Sequence, residues 1–377
     1  MPPRVLMVAG EPSGELHGSA VVRALRRLAP GAEIAGVGGS RMRAEGMEVI
    51  HDCADLAFMG FAEVVRNLGT IRRLRLELVA ELERRRPDVA VLIDYPGFNL
   101  RFAAEARARG VPVLYYISPQ VWAWHRGRVK KMRALVNRMM VVFPFEVPIY
   151  REAGIDVEFV GHPLVEHIGT TATRAEFFRR WNLDPDRPLL GLFPGSRRQE
   201  IERILPVMLR SADALRAGRA LQVAIGVAPS LGREFIVPYT RGHAPAVLVE
   251  EGTYDLMAYA GAAVVTSGTA TLETGWFGTP MAVVYRTSPL TYAIGRMLVD
   301  VTSIGLVNIV AGRQVVPELI QGNMTPEKIA AAVGPLLDDS ALAARMRDAL
   351  AVVRAKLGGP GASERVARGV LALAGNA

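Results

Sequence analysis

The sequence predicts an α/β fold: two Rossmann-like halves, each a parallel sheet covered by helices on both faces, with a cleft between them. Three observations carry that expectation. Short, nearly continuous apolar runs rich in β-branched residues alternate with helical stretches, as strands buried on both faces do. The runs end at Gly, Pro or Ser, where a turn begins. The whole series then occurs a second time.

The first series places strands at 5–9, 89–94, 112–118, 139–143 and 157–161, and the second at 189–193, 221–227, 246–250, 262–266 and 281–285. Between them, 166–188 is polar, with Thr170, Thr171 and Thr173, a short helical piece and then Asp184-Pro185-Asp186-Arg187-Pro188, which reads as a linker. Domains are expected at 1–168 and 186–345. After Thr325-Pro326, a helix start, the chain reads as helices broken at Gly358-Gly359-Pro360-Gly361, and 346–377 is expected to pack back on the first half.

Composition excludes several classes. A length of 377 residues fits two domains, and 50% hydrophobic with 22% charged residues excludes a disordered chain. The formal net charge is +8, and only four of the 45 basic residues are Lys. Such a field suits an anionic partner; phosphate, nucleic acid and an acidic membrane surface all satisfy it. Cys53 alone permits neither an internal disulfide nor a Cys-based zinc site. The apolar run from Val5 stops at Glu11, too short for a secretory signal. The longest uncharged stretch, 256–272, holds Thr266, Ser267, Thr269 and Thr271, so any membrane contact is expected to be peripheral.

Three strand-to-helix turns carry the site signals. The first strand runs into Gly10-Glu11-Pro12-Ser13-Gly14-Glu15-Leu16-His17, where small residues let a ligand reach the helix N-terminal amides. A tight structural turn is the alternative. In Phe193-Pro194-Gly195-Ser196-Arg197-Arg198-Gln199, Ser196 with Gln199 fits a capping box, and Arg197 and Arg198 flank a helix end ready for a diphosphate. Surface arginines on a capped helix would read the same way. In Thr266-Ser267-Gly268-Thr269-Ala270-Thr271-Leu272-Glu273, the hydroxyl-rich turn suits phosphate and Glu273, one turn into the helix, suits a ribose; a first-turn Glu answering the helix dipole is the alternative.

Asp94 ends an apolar strand, a position that suits a general base or, equally, a satisfied cap. His17 and His162 also follow strands and could take a proton, though lone histidines are commonly structural. From Met59 to Arg86 the apolar residues, Phe61, Val65 and Leu68 among them, follow a helical period with Arg66, Arg72 and Arg73 interleaved. This reads as a basic amphipathic surface for anionic lipid or as a helix packed on the first sheet.

Taken in order, Ala9-Gly10-Glu11-Pro12-Ser13-Gly14, Met59-Gly60-Phe61, Ile93-Asp94-Tyr95-Pro96-Gly97-Phe98-Asn99, Ser118-Pro119-Gln120-Val121-Trp122-Ala123-Trp124, Phe143-Pro144-Phe145-Glu146, Val160-Gly161-His162-Pro163, Phe193-Pro194-Gly195-Ser196-Arg197, Ser267-Gly268-Thr269-Ala270-Thr271-Leu272-Glu273 and Asn308-Ile309-Val310-Ala311-Gly312-Arg313 resemble the lipid-A-disaccharide synthase family. The resemblance spans 5–319 and implies a GT-B fold and an inverting glycosyl transfer. The implied donor is UDP-2,3-diacylglucosamine, the acceptor 2,3-diacylglucosamine 1-phosphate, and the products a β-1,6-linked disaccharide phosphate and UDP, at the start of the outer-membrane lipid anchor of Gram-negative bacteria. Asp94, Arg197 and Asn308 match the family's essential aspartate, arginine and asparagine, and Glu11 its first-loop glutamate. Glu15, Gly97 and Val307 depart from the family pattern, which commonly has Asp, Asp and Pro there.

The expected arrangement puts the UDP-sugar on Gly195, Ser196, Arg198, Ser267, Gly268, Thr269 and Glu273 of the second half. The acceptor lies against Glu11, Ser13, Gly14 and His17. Phe61, Val65, Leu68, Arg72 and Arg73 would meet the cytoplasmic face of the inner membrane. No cofactor, metal or nucleic acid is called for, and the oligomeric state is not read from the sequence. The rivals are a UDP-N-acetylglucosamine 2-epimerase and a non-catalytic binder of anionic lipid or nucleic acid; no RNA-binding aromatic sheet motif or basic helix-turn-helix supports the latter.

Overall fold

The computed structural model describes residues 2–56, 68–119, 127–288, 292, 303–338 and 340–375. The chain divides into two compact units: residues 1–166 with 357–377, and residues 167–356. In the first, seven parallel strands, β1 (Arg4–Ala9), β2 (Glu33–Gly38), β3 (Glu48–Asp52), β4 (Val89–Ile93), β5 (Val113–Tyr116), β6 (Arg138–Val141) and β7 (Asp156–Phe159), stand in the order β3-β2-β1-β4-β5-β6-β7. In the second, β8 (Leu189–Phe193), β9 (Gln222–Gly226), β10 (Val247–Val249), β11 (Ala262–Thr266), β12 (Met281–Tyr285) and β13 (Glu318–Ile320) stand in the order β10-β9-β8-β11-β12-β13, also parallel.

The apolar runs become the sheet centres because both faces are covered. Every residue of β4, β5, β8 and β11 is buried, so the hydrophobic driving force acts along the whole strand rather than on alternate residues. Three strands were not expected from the sequence: β2, β3 and β13. β2 reads Glu-Ile-Ala-Gly-Val-Gly, and its glycines mimic a turn. Yet Gly36 sits at φ 144° against Met7, where an added Cβ would overlap the Met7 carbonyl oxygen, so close strand approach explains the glycine. β3 is an edge strand with no fully buried residue, and β13 has only three residues; neither has an apolar run to announce it.

The linker's first residues are pinned to the second unit by the buried Asp255, whose carboxylate accepts from the Thr171 N–H and hydroxyl, both at 2.7 Å, and from the Ala172 N–H at 3.3 Å. Thr173 and Glu176 then form a capping box on helix Arg174–Arg180. At the other end, helix Ser340–Lys356 stays with the second unit, so the return to the first comes at Leu357, later than the expected 346. Helix Ala362–Ala374 packs on helix Pro12–Leu28 and on β4 and β5.

Candidate active site

Strand order reverses between β1 and β4 in the first sheet and between β8 and β11 in the second. Open parallel sheets bind ligands beyond the carboxyl ends of their strands at such a reversal. The loops that follow those four strands are the ones carrying Glu11, Asp94, Arg197 and Ser267. Each unit therefore has its own candidate site.

In the second unit a cavity of about 650 Å³, a size typical of small-molecule sites, is lined by Gly195, Ser196, Arg197, Ser267, Gly268, Thr269 and Glu273. Helices Arg198–Arg216 and Thr269–Trp276 begin at its edge. The amides of their first two residues have no intrahelical partners and carry partial positive charge, which makes two anion-ready ends. Gly195 has φ 102°, and a Cβ there would stand 2.5 Å from the Glu200 carboxylate, so only glycine fits. Arg197 donates from Nη1 to Glu200 Oε1 at 2.9 Å, with the rest of its side chain exposed.

Two expectations are corrected here. Ser196 is not the N-cap: the helix starts one residue later, with Arg197 at the cap and its carbonyl accepting from the Glu200 N–H at 3.0 Å. The Ser196 carbonyl instead accepts the Ser230 hydroxyl at 3.2 Å. Arg198 does not line the cavity; its guanidinium lies 4.7 Å above the Phe235 ring, where a cation–π contact holds it. At the third turn the donors of Ser267 are committed, the N–H to Val284 O at 3.0 Å and the hydroxyl to Ile304 O at 2.8 Å. The amides of Gly268 and Thr269 are left to meet an anion.

Glu273 accepts the Tyr254 hydroxyl at 3.1 Å; burial pushes its carboxyl above the usual range, and that hydrogen bond opposes the rise. Sequence reasoning passed over Tyr254 and gave Thr266, within the hydroxyl-rich turn, no separate role. Tyr254 sits in a helix with no motif around it, whereas the Thr266 hydroxyl, at the end of β11, is buried at the cavity wall without a protein partner. A hydroxyl closing an apolar strand was the available signal.

In the first unit, Gly14 is buried where helix Pro12–Leu28 passes Ala9 and Ile93, and Ser13 is exposed while His17 is half-buried. Asp94 follows β4 with φ 47°, and Tyr95 repeats that value. Burial first, then the negative charge of Glu11, lifts the Asp94 carboxyl from the usual 3.8 to about 6, against a hydrogen bond from the Tyr95 N–H. Glu15 is used locally: it accepts the Arg41 N–H at 2.8 Å at the start of helix Ser40–Ala44. Gly97 touches nothing that would restrict a side chain there. His162 is buried, its Nδ1 accepting from the Leu164 N–H at 3.2 Å beside the Phe143 ring.

Asn308 lies deep in the second unit and does not line the cavity. Its Nδ2 donates to Val316 O (3.0 Å) and Glu318 Oε1 (2.7 Å), and its Oδ1 accepts from the N–H groups of Val315 (2.7 Å) and Val316 (3.0 Å). Glu318 in turn accepts from the Ile304 and Gly305 N–H groups, and the Ile304 carbonyl holds the Ser267 hydroxyl. Asn308 thus reaches the cavity rim through a chain of hydrogen bonds. Asn308→Ala strands two backbone N–H groups, and the expected loss is about 2–6 kcal/mol of stability at ~1–3 kcal/mol per buried unpaired group. Urea unfolding checks it; an unchanged midpoint would remove the structural role.

Of the residues expected at a membrane, Phe61, Val65 and the side chain of Leu68 lie outside the described residues. Arg72 and Arg73 are exposed on helix Leu68–Arg85, whose Leu74, Leu78 and Leu82 pack into the first core. Among the described residues no helix is long and apolar enough to cross a membrane.

Residues 5–364 match the family profile described as lipid-A-disaccharide synthetase. Curated relatives named lipid-A-disaccharide synthase include those of Geobacter sulfurreducens, 47% identical over 99% of this chain and 97% of the relative, and Myxococcus xanthus, 44% identical over 99% and 98%. Among solved structures, the UDP-GlcNAc 2-epimerase of Neisseria meningitidis bound to UDP-GlcNAc aligns with TM-score 0.67 at 14% identity, covering 98% of this chain and 100% of that one. The calicheamicin glycosyltransferase CalG4 aligns at 0.63 and 17%, covering 99% and 98%. Those likenesses establish the fold, of the GT-B kind. On the match of profile and full-length relatives, the chain belongs to the lipid-A-disaccharide synthase family of glycosyltransferases.

Proposed function

We propose that the protein transfers 2,3-diacylglucosamine from UDP-2,3-diacylglucosamine to 2,3-diacylglucosamine 1-phosphate with inversion, releasing UDP. The observation that carries the reading is the cavity of the second unit, where two helix N-termini, Arg197 and Glu273 meet. The diphosphate lies at the helix ends and Arg197, and the ribose hydroxyls bond to Glu273. The acceptor lies against the first-unit loops, at Glu11, Ser13, Gly14 and His17. Asp94 takes the proton of the acceptor's 6-hydroxyl; that oxygen forms the new bond to the anomeric carbon as the bond to UDP breaks, and Arg197 stabilises the charge left on the diphosphate. Asn308 acts at one remove, by fixing the rim.

Incubation with donor labelled in the sugar, together with the acceptor, is expected to yield a new chloroform-soluble disaccharide phosphate and an equal amount of UDP. Epimerisation of UDP-N-acetylglucosamine without any lipid product would overturn the reading.

The lipid substrates call for a membrane, and the +8 net charge favours an anionic one. We assign peripheral binding at the cytoplasmic face of the inner membrane to the surface between Met59 and Arg86, with exposed Arg72 and Arg73 among its contacts. Flotation with anionic liposomes is expected to weaken as salt screens the contacts. Binding insensitive both to salt and to charge reversal at the two arginines sinks the assignment.

A further inference from the structure

We propose that Tyr115 and Asn99 are positioning residues for the transfer, clamping the Asp94–Tyr95 turn so that the Asp94 carboxylate is held in its working direction. The proposal rests on the reading of Asp94 as the base.

Asp94 and Tyr95 are two successive non-glycine residues in the left-handed region, each with φ 47°. Each such residue is strained and persists only where its surroundings over-determine it. Here the Asp94 carbonyl oxygen accepts two side-chain hydrogen bonds, from the Tyr115 hydroxyl at 2.6 Å and from Asn99 Nδ2 at 2.7 Å. Asn99 Nδ2 also donates to Ile93 O at 3.1 Å, and the Asp94 N–H donates to Tyr116 O at 2.9 Å. The Tyr95 ring lies over Gly10, where any Cβ would overlap it.

Both clamping side chains are wholly buried. With Nδ2 turned to the two carbonyls, Asn99 leaves its Oδ1 buried without a partner. An unpaired buried acceptor is destabilising, so the fold tolerates two separate penalties to keep this turn. Burial, with the nearby Asp94 charge, raises the Tyr115 phenol well above its usual range, so it remains a donor at every working pH. The φ of residue 94 sets the direction in which its Cα–Cβ bond leaves the chain, and relaxation to negative φ would swing the carboxylate away.

The discriminating variant is Tyr115→Phe, which deletes one oxygen and keeps the ring. Tyr116→Phe is the control: that neighbouring hydroxyl is also buried, has no partner and does not touch the turn. Misplacing a reacting group by about 1 Å costs up to ~10²-fold, so Tyr115→Phe is expected to lower kcat about tenfold or more, with KM for the UDP-sugar changed by less than about twofold. The groups facing the Asp94 carboxyl are Glu11, Tyr115 and the Tyr95 N–H. Once the turn relaxes and the carboxyl meets water, the acid limb of the pH–kcat profile, expected near pH 6, moves toward lower pH. A general loss of stability would not move that limb.

Tyr116→Phe is expected to leave both kcat and the limb unchanged. Wild-type kcat with an unmoved limb in Tyr115→Phe overturns the clamp, as does an equal loss in Tyr116→Phe. If Asp94→Asn itself retains turnover, the reading of Asp94 as the base fails, and the clamp falls with it.

Discussion

Arg197→Ala is expected to lower turnover by about 10²–10³-fold, the effect of losing one donor to charge that develops in the transition state, worth roughly 2.7–4 kcal/mol. Stability should barely change. The Arg197 side chain is 60% exposed, and its ion pair with Glu200 spans a single helical turn. Exposed pairs of that kind contribute about 0.2–1 kcal/mol. Steady-state kinetics beside thermal unfolding separates the two effects. Arg197→Lys should recover only part of the loss, because a point charge replaces a planar fork. Near-normal turnover in the alanine variant would detach Arg197 from the leaving group.

Asp94→Asn should cost about 10²–10⁴-fold in kcat, the range of a positioned general base. Stability is expected to move the other way. The native carboxyl titrates at about 6 against the usual 3.8, so its charged form is disfavoured by the fold. The stability this group contributes is present below the unfolded value and is lost as pH rises through about 6. A neutral amide escapes that loss, so above pH 6 the variant should be more stable by on the order of 1–3 kcal/mol. The wild-type rate should rise with pH up to the same point. A variant that is both active and destabilised at pH 8 would contradict the base assignment and the origin of the shift together.

Both sheets were legible where strands are buried on two faces, because continuous apolar runs such as Val89–Ile93 and Ala262–Thr266 announce themselves. β2 was hidden by Gly36, set by the approach of the neighbouring strand, and by Gly38, packed under the Met42 side chain, neither of them set by a turn. Strand-to-helix turns were visible for the same reason that they bind: small residues and hydroxyls cluster where a backbone must be approached. Their detail was not visible. Whether Ser196 or Arg197 caps a helix depends on a single dihedral, and whether Arg198 faces the cavity depends on Phe235, 37 positions away. Tyr115 and Asn99 reach Asp94 across 21 and 5 positions, through contacts that exist only after β5 is laid beside β4.

The return of the chain at Leu357 orders events during synthesis. The Leu357 carbonyl accepts from the His162 N–H at 2.8 Å, and the Ser363 N–H donates to Glu166 at 2.8 Å, so the exit from the first unit and the re-entry to it are adjacent. Helix Ala362–Ala374, which covers part of β4 and β5, follows the whole of the second unit in the chain. The second unit is therefore fully translated while the first still lacks its closing helix. Domains generally fold as units in the order in which they emerge. Here the second unit can be finished while the earlier-made sheet still shows an uncovered apolar face, an exposure that lasts until helix Ala362–Ala374 is made.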